Sequence, residues 1–167
     1  MDVTRPASGL VEIELASEEE TARLGRAIAD LVEIGTVIGL VGPLGAGKTR
    51  LVRAIAESLG VEPDAISSPT FVLIQEYDGR LPVYHFDTYR LTSPAAFEDL
   101  GPADYWDVGV SLVEWADRVV ALLPEERWTI TLEPVGPTGS RVIVHRSSGS
   151  RPATRSAHST SETPESE

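Results

Sequence analysis

Residues 42–49 read Gly-Pro-Leu-Gly-Ala-Gly-Lys-Thr, and this stretch fits the pattern G-x-x-x-x-G-K-[ST]. Glycines at these positions let the backbone curl so that its N–H groups point inward at phosphate oxygens. The lysine can lie across the β- and γ-phosphates of a nucleotide, and the threonine hydroxyl can help to hold Mg²⁺. The stretch therefore predicts a phosphate-binding loop (P-loop).

The residues on either side of this loop have the pattern that a P-loop requires. Residues 37–41 form a continuous apolar run, which is typical of a buried parallel strand. Apolar residues between positions 51 and 59 recur at helical spacing, and Gly60 ends that helix. A chance match to the motif occurs in roughly 1 in 200 chains of this length. The alternative is a glycine-rich structural turn with a solvated lysine.

Strand and helix patterns alternate along the rest of the chain. Ser17 and Glu20 predict a capping box at the start of a first helix, and Ser93-Pro94 starts another, short helix. A further short helix is predicted at 118–122, and the turn-rich residues are 134–140. The predicted strands are 11–15, 37–41, 71–77, 81–86, 108–113, 128–132 and 142–145. This order predicts the α/β class: a P-loop NTPase-like, three-layer fold with a mixed central sheet.

The 167 residues are expected to form one domain followed by a tail. Residues 1–146 carry the P-loop domain. Residues 147–167 include 10 Ser or Thr and almost no large apolar side chain, so they cannot offset the entropy of ordering and are predicted to be disordered. A phosphorylated or partner-binding tail is the alternative.

Charge and composition exclude several classes of protein. The net charge of −12 argues against free-standing binding to nucleic acid or to anionic membranes. The absence of Cys excludes disulfides and Cys-based metal sites. Without a signal sequence or an apolar span, a cytoplasmic location is expected. Lys48 is the only lysine, so the Asn/Thr-Lys-x-Asp motif that selects guanine is absent and adenine nucleotides are favoured.

Two predicted strands lead into carboxylates, Asp87 and Glu114. Ligand sites in such sheets lie at the carboxyl ends of the strands. We assign Asp87 to the Mg²⁺ shell, directly or through water, and Glu114 to orienting or deprotonating the attacking water. Either side chain could instead be a solvated acid at the end of a strand.

The sequence context of three other residues indicates what each could do. Thr70, in the loop Ser-Ser-Pro-Thr-Phe at 67–71, occupies the place of a nucleotide-sensing switch, or else it caps backbone N–H groups. Strand alternation puts Trp115 on the side opposite Glu114, as a packing residue or a stacking contact. His85 has no second ligand at metal spacing, which favours a structural role.

Four motifs in this order, GPLGAGKT, SSPTF, HFDTYRL and LVEWADR, resemble the TsaE family, also called YjeE. The resemblance runs from about Val11 to Val144. It implies a weak, Mg²⁺-dependent ATPase of tRNA threonylcarbamoyladenosine biosynthesis that acts with TsaD and TsaB and contacts tRNA only indirectly. The Ser/Thr-rich tail departs from the family pattern.

The resemblance and the motif together give a set of candidate residues. Lys48, Asp87 and Glu114 are expected to be catalytic, and the metal ligands are expected among Thr49, Thr70, Asp87 and Glu114. The nucleotide-binding residues are expected to be Gly42, Pro43, Leu44, Gly45, Ala46, Gly47, Lys48, Thr49, Arg50, Thr70 and Trp115. Two alternatives remain: a P-loop kinase of small molecules, and a protein that binds nucleotide without hydrolysing it.

Overall fold

The structure, a computed structural model, describes residues 2–4, 10–66, 73–136 and 139–147. The strands in these ranges are β1 (Asp2–Thr4), β2 (Leu10–Leu15), β3 (Val37–Val41), β4 (Ile74–Tyr77), β5 (Val83–Asp87), β6 (Val110–Glu114), β7 (Trp128–Val135) and β8 (Gly139–Arg146). The α-helices are α1 (Glu18–Ala29), α2 (Lys48–Ser58) and α3 (Pro94–Glu98). Short 3₁₀ helices occupy Pro63–Ala65, Pro102–Tyr105, Ala116–Arg118 and Val120–Leu122.

The strands of the described residues form one sheet in the order β1-β2-β8-β7-β3-β6-β5-β4. The four central strands β7, β3, β6 and β5 are parallel, and the flanking strands are antiparallel. Of these, β3 and β6 at the middle of the sheet are buried along almost their whole length, which explains their mostly apolar sequences. The predicted mixed α/β sheet is confirmed.

Helices α1 and α2 cover one face of the sheet. The Ser17 hydroxyl accepts a hydrogen bond from the Glu20 N–H at 3.3 Å, which starts α1 as the capping pattern predicts. The Glu20 carboxylate accepts from the N–H of Ala16 at 2.7 Å, one residue before the cap. A Cβ on Gly25 would lie 2.6 Å from the Ala54 Cβ, so only glycine lets α1 approach α2 this closely.

Two apolar clusters lie on opposite faces of the sheet and make three layers. The cluster under α1 and α2 includes Leu24, Ile28, Ile38, Leu40, Leu51, Ile55, Leu112 and Ile130. The cluster on the other face consists of Phe86, Phe97, Val113, Ala116, Val119 and Leu123. Among the described residues, no helix has the length and apolar character needed to cross a bilayer.

Replacing Ile55 with Ala should lower the free energy of unfolding by about 2–5 kcal/mol. Ile55 is fully buried between α2 and the sheet, so the smaller side chain leaves a cavity. Leu31→Ala is the control. Leu31 is 67% exposed, so its replacement removes no core contact. Denaturant unfolding measures both variants, and an equal, small effect of the two would contradict this packing.

The β7–β8 hairpin is longer than predicted. Residues 134–140 were expected to be a turn, but Val135 pairs with Gly139 and Pro134 with Ser140. Pairing of β3 with β7 ends at Thr131, so the far end of β7 has a free edge that tolerates a proline.

Other boundaries also differ from the predictions. The predicted helix at 118–122 is formed by two 3₁₀ segments. Residues 71–72 of a predicted strand, the predicted switch residue Thr70, and residues 148–167 of the predicted tail lie outside the described residues.

Candidate nucleotide-binding site

The carboxyl ends of β3, β5 and β6 meet the first turn of α2 and frame an open cleft of about 740 Å³. Asp87 and Glu114 are direct register partners at the ends of β5 and β6. The lining residues include Leu44, Gly45, Ala46, Gly47, Lys48, Thr49, Arg50, Asp87, Tyr89, Glu114 and Trp115. The two predicted strand-end acids therefore lie beside the predicted loop, because parallel strands bring their carboxyl ends to one edge.

The loop between β3 and α2 has the backbone of an anion-binding turn. Gly42, Gly45 and Gly47 have φ angles of 148°, 80° and 98°, which L side chains rarely adopt. A Cβ on Gly42 would also lie 2.3 Å from the Leu132 carbonyl oxygen. Helix α2 begins at Lys48, directly after the loop, so its unpaired N–H groups and positive end face the cleft.

Lys48 folds back onto the loop. Its Nζ donates to the carbonyl oxygens of Gly42 at 2.7 Å and Pro43 at 2.9 Å, and lies 3.7 Å from the centroid of a Trp115 ring. Burial lowers the pKa of Lys48, although the carboxylates of Glu114, Asp117 and Asp87 oppose this shift. A phosphate in the loop would offer this ammonium group a stronger acceptor than the two carbonyls.

Glu114 is buried and both of its carboxylate oxygens have partners. Oε2 accepts from the Thr49 hydroxyl at 2.8 Å, and Oε1 lies 2.9 Å from Nε2 of His85. The interpretation of Glu114 as a solvated acid is therefore wrong. The contact with His85 was not predicted, since the sequence does not reveal which side chains of neighbouring strands meet.

Trp115 does not follow strand alternation. Strand β6 ends at Glu114, and Trp115 takes a left-handed conformation with φ 58°. This turn places its ring in the cleft, against Lys48 and 4.8 Å from the Tyr89 ring between centroids. The predicted position opposite Glu114 is wrong for this reason. A bulky, non-glycine residue rarely adopts this backbone conformation, so the surrounding contacts must hold it there.

Thr88 supports this turn and was missed in the sequence. Its buried hydroxyl lies 3.0 Å from the carbonyl oxygen of Glu114 and 2.9 Å from that of Trp115, and donates to this pair. The available signal was its position between Asp87 and the aromatic Tyr89 at the end of a strand. Asp87 itself accepts from the N–H of Tyr89 at 2.9 Å.

The oxygens at the head of α2 suit a hard cation such as Mg²⁺. The Thr49 hydroxyl and the Glu114 carboxylate are in contact, and Asp87 stands beside Glu114 on the next strand. In the described ranges no group of three or more His, Cys, Asp or Glu side chains is arranged to hold a metal. A magnesium ion here would take its other ligands from phosphate and water, as is usual for this ion.

Two predicted contacts lie at the rim. Leu44 is 76% exposed at the tip of the loop. Arg50 lines the cleft and its guanidinium lies 3.0 Å from the Glu18 carboxylate of α1. Neither side chain takes part in the contacts that hold the Glu114 carboxylate.

The mixed α/β sheet and the glycine-rich loop at its carboxyl edge define a P-loop protein. The family model described as "Threonylcarbamoyl adenosine biosynthesis protein TsaE" matches residues 15–143. The chain belongs to the TsaE family.

Individual relatives agree with this family assignment. The tRNA threonylcarbamoyladenosine biosynthesis protein TsaE of Treponema pallidum is 43% identical over 128 residues, which cover 76% of this chain and 93% of that protein. The protein of the same name from Bacillus subtilis is 43% identical over 120 residues, covering 71% and 74%. The crystal structure of Bacillus subtilis YdiB superposes with a TM-score of 0.69 at 32% identity and covers 89% of each chain.

Proposed function

We propose that this chain is a Mg²⁺-dependent, slow ATPase that sustains tRNA threonylcarbamoyladenosine modification together with TsaD and TsaB homologues. Family membership supports the pathway. The observation that carries the ATPase assignment is the contact between Thr49 and Glu114 at the mouth of the loop. It places a carboxylate beside the hydroxyl that P-loop proteins use for magnesium.

The residues predicted from the sequence then take the following roles. The loop N–H groups and Lys48 hold the phosphates, and Trp115 and Arg50 contact the nucleotide. Thr49, Asp87 and Thr70 supply oxygens to magnesium, with Glu114 in or beside its shell. Bound magnesium neutralises phosphate charge. Glu114 orients the attacking water or accepts its proton.

Slow turnover of the isolated protein follows from the contacts of Lys48. Its ammonium group already has two carbonyl acceptors and an aromatic face, so phosphate binding must replace these contacts. A partner that favours the rearranged loop would accelerate the cycle, because it shifts the population toward the competent state.

Contact with tRNA is assigned to the partners. The net charge of −12 opposes binding of the isolated chain to a phosphate backbone. Its place of action is then the cytoplasm, where the partners present the tRNA. ATP hydrolysis by the purified chain, alone and with the TsaD–TsaB pair, tests the proposal. Slow hydrolysis that the pair changes supports it, whereas fast hydrolysis without binding to either partner contradicts it.

Removing Mg²⁺ with a chelator should abolish ATP hydrolysis and weaken ATP binding. Without the cation, the buried Glu114 carboxylate and the phosphates repel each other across the Thr49 hydroxyl. Added Mg²⁺ should restore both properties. Undiminished hydrolysis in excess chelator would contradict the metal assignment.

A further inference from the structure

His85 is a buried polar side chain in direct contact with the proposed water-orienting carboxylate of Glu114. It lies on β5 and is fully inaccessible to solvent. Its Nε2 is 2.9 Å from Oε1 of Glu114, and its Nδ1 is buried without a hydrogen-bond partner among the described residues. An unpaired buried nitrogen destabilises a fold, so an apolar residue would fill this position better if packing were its only role.

The hydrogen bonding assigns the proton of the ring. A carboxylate can only accept, so Nε2 must donate to Glu114. Since Nδ1 has no acceptor among the residues that the structure describes, a ring with its proton on Nε2 satisfies the contact without placing a second N–H in the core. The apolar surroundings strengthen the remaining bond, since little water competes for either group.

The register of the sheet explains the direction of the contact. Glu114 is paired with Asp87 at the carboxyl edge of the sheet. His85 precedes Asp87 by two residues on β5, so the side chains of His85 and Glu114 lie on the same face. Its bond reaches the inner oxygen of the carboxylate. The outer oxygen, Oε2, faces the cleft and accepts the hydrogen bond from Thr49.

We propose that His85 is a positioning residue that fixes the Glu114 carboxylate so that Oε2 faces Thr49 and the phosphate cleft. The inference deepens the proposed ATPase function and rests on it. Without the His85 donor, the Glu114 side chain can rotate among other orientations and spends less time aligned with the reacting phosphate. His85 is buried and would act through Glu114.

Two amide substitutions of different reach test the proposal by kinetics. The Gln amide in His85→Gln can donate at the level of Nε2, whereas the shorter Asn amide in His85→Asn cannot reach Oε1. We expect His85→Asn to lower kcat for ATP hydrolysis by about 10- to 100-fold with the ATP dissociation constant little changed. His85→Gln should keep most of the rate.

Val83→Ala is the matched control, because Val83 is buried on the same strand and face but makes no bond to Glu114. It should cost stability and leave kcat unchanged. Equal rates for the Asn and Gln variants, or a loss of rate in Val83→Ala like that in His85→Asn, would overturn the inference. In a Glu114→Gln background, His85→Asn should have no further effect on kcat, and a further loss would also overturn it.

A second readout does not depend on ATP. Nitrogen NMR of the ¹⁵N-histidine-labelled protein should show His85 protonated at Nε2 and not at Nδ1, with the Nε2 signal shifting in Glu114→Gln. Protonation at Nδ1, or no response to Glu114→Gln, would contradict the proposed bond. An inactive wild-type protein with its partners would contradict the ATPase function, whereas active wild type with an unimpaired His85→Asn variant contradicts this inference alone.

Discussion

Replacing Glu114 with Gln should lower the rate of ATP hydrolysis at saturating ATP by roughly 100- to 10,000-fold. The amide keeps the size of the side chain but loses the negative charge that orients water and accepts its proton. Because the Thr49 hydroxyl can still donate to the amide oxygen, the mouth of the loop should keep its shape. ATP should therefore still bind, and the defect should appear in kcat.

Glu126→Gln is the control for this charge change. Glu126 is exposed and lies just before β7, at the opposite end of the parallel strands from the loop. Steady-state hydrolysis and equilibrium binding of ATP measure both variants. Full turnover by Glu114→Gln would move the water-orienting role to another residue and would favour a protein that binds nucleotide as a structural ligand.

Replacing Lys48 with Ala should weaken ATP binding by about 10- to 100-fold, since charge-assisted hydrogen bonds contribute about 1.5–3 kcal/mol. Hydrolysis at saturating ATP should also fall by roughly 100- to 1,000-fold, because the ammonium group stabilises charge that develops on the transferred phosphoryl group. Lys48 is the only lysine, so no neighbouring lysine can replace it.

The control removes a different cation. Arg23→Ala breaks an exposed ion pair with Glu19 on α1. Arg23 is not among the residues that line the cleft, so this change should leave ATP binding intact. Isothermal titration with ATP and Mg²⁺ measures the affinity of each variant. If Lys48→Ala bound ATP as tightly as Arg23→Ala, the loop would not hold the phosphates in the proposed way.

Much of the fold could be predicted because its strongest signals are local. The apolar run of β3 and the helical spacing of α2 have the predicted type, and β3 has the predicted bounds. The hairpin of β7 and β8 was underestimated because Pro134 and Gly136 are typical of turns. Only the pairing of strands reveals that the end of β7 has a free edge where proline is tolerated.

The separate motifs of the candidate site could be predicted from the sequence, but the contacts between them could not. The loop, Asp87 and Glu114 were found because each follows an apolar strand, and strand ends meet by topology. The bond between His85 and Glu114 depends on the register of β5 against β6, which no local pattern encodes. Trp115 was placed on the wrong side because β6 ends at Glu114, so strand alternation does not extend to Trp115, where the backbone is left-handed.

We propose that the P-loop of this TsaE-family chain drives repeated cycles of tRNA threonylcarbamoyladenosine modification. The most direct measurement is modified tRNA formed per TsaD–TsaB complex over many turnovers, with the wild-type chain or with Lys48→Ala. We predict continued product formation with the wild type and arrest after about one turnover with Lys48→Ala. Equal multiple-turnover formation of modified tRNA with both proteins would contradict the claim.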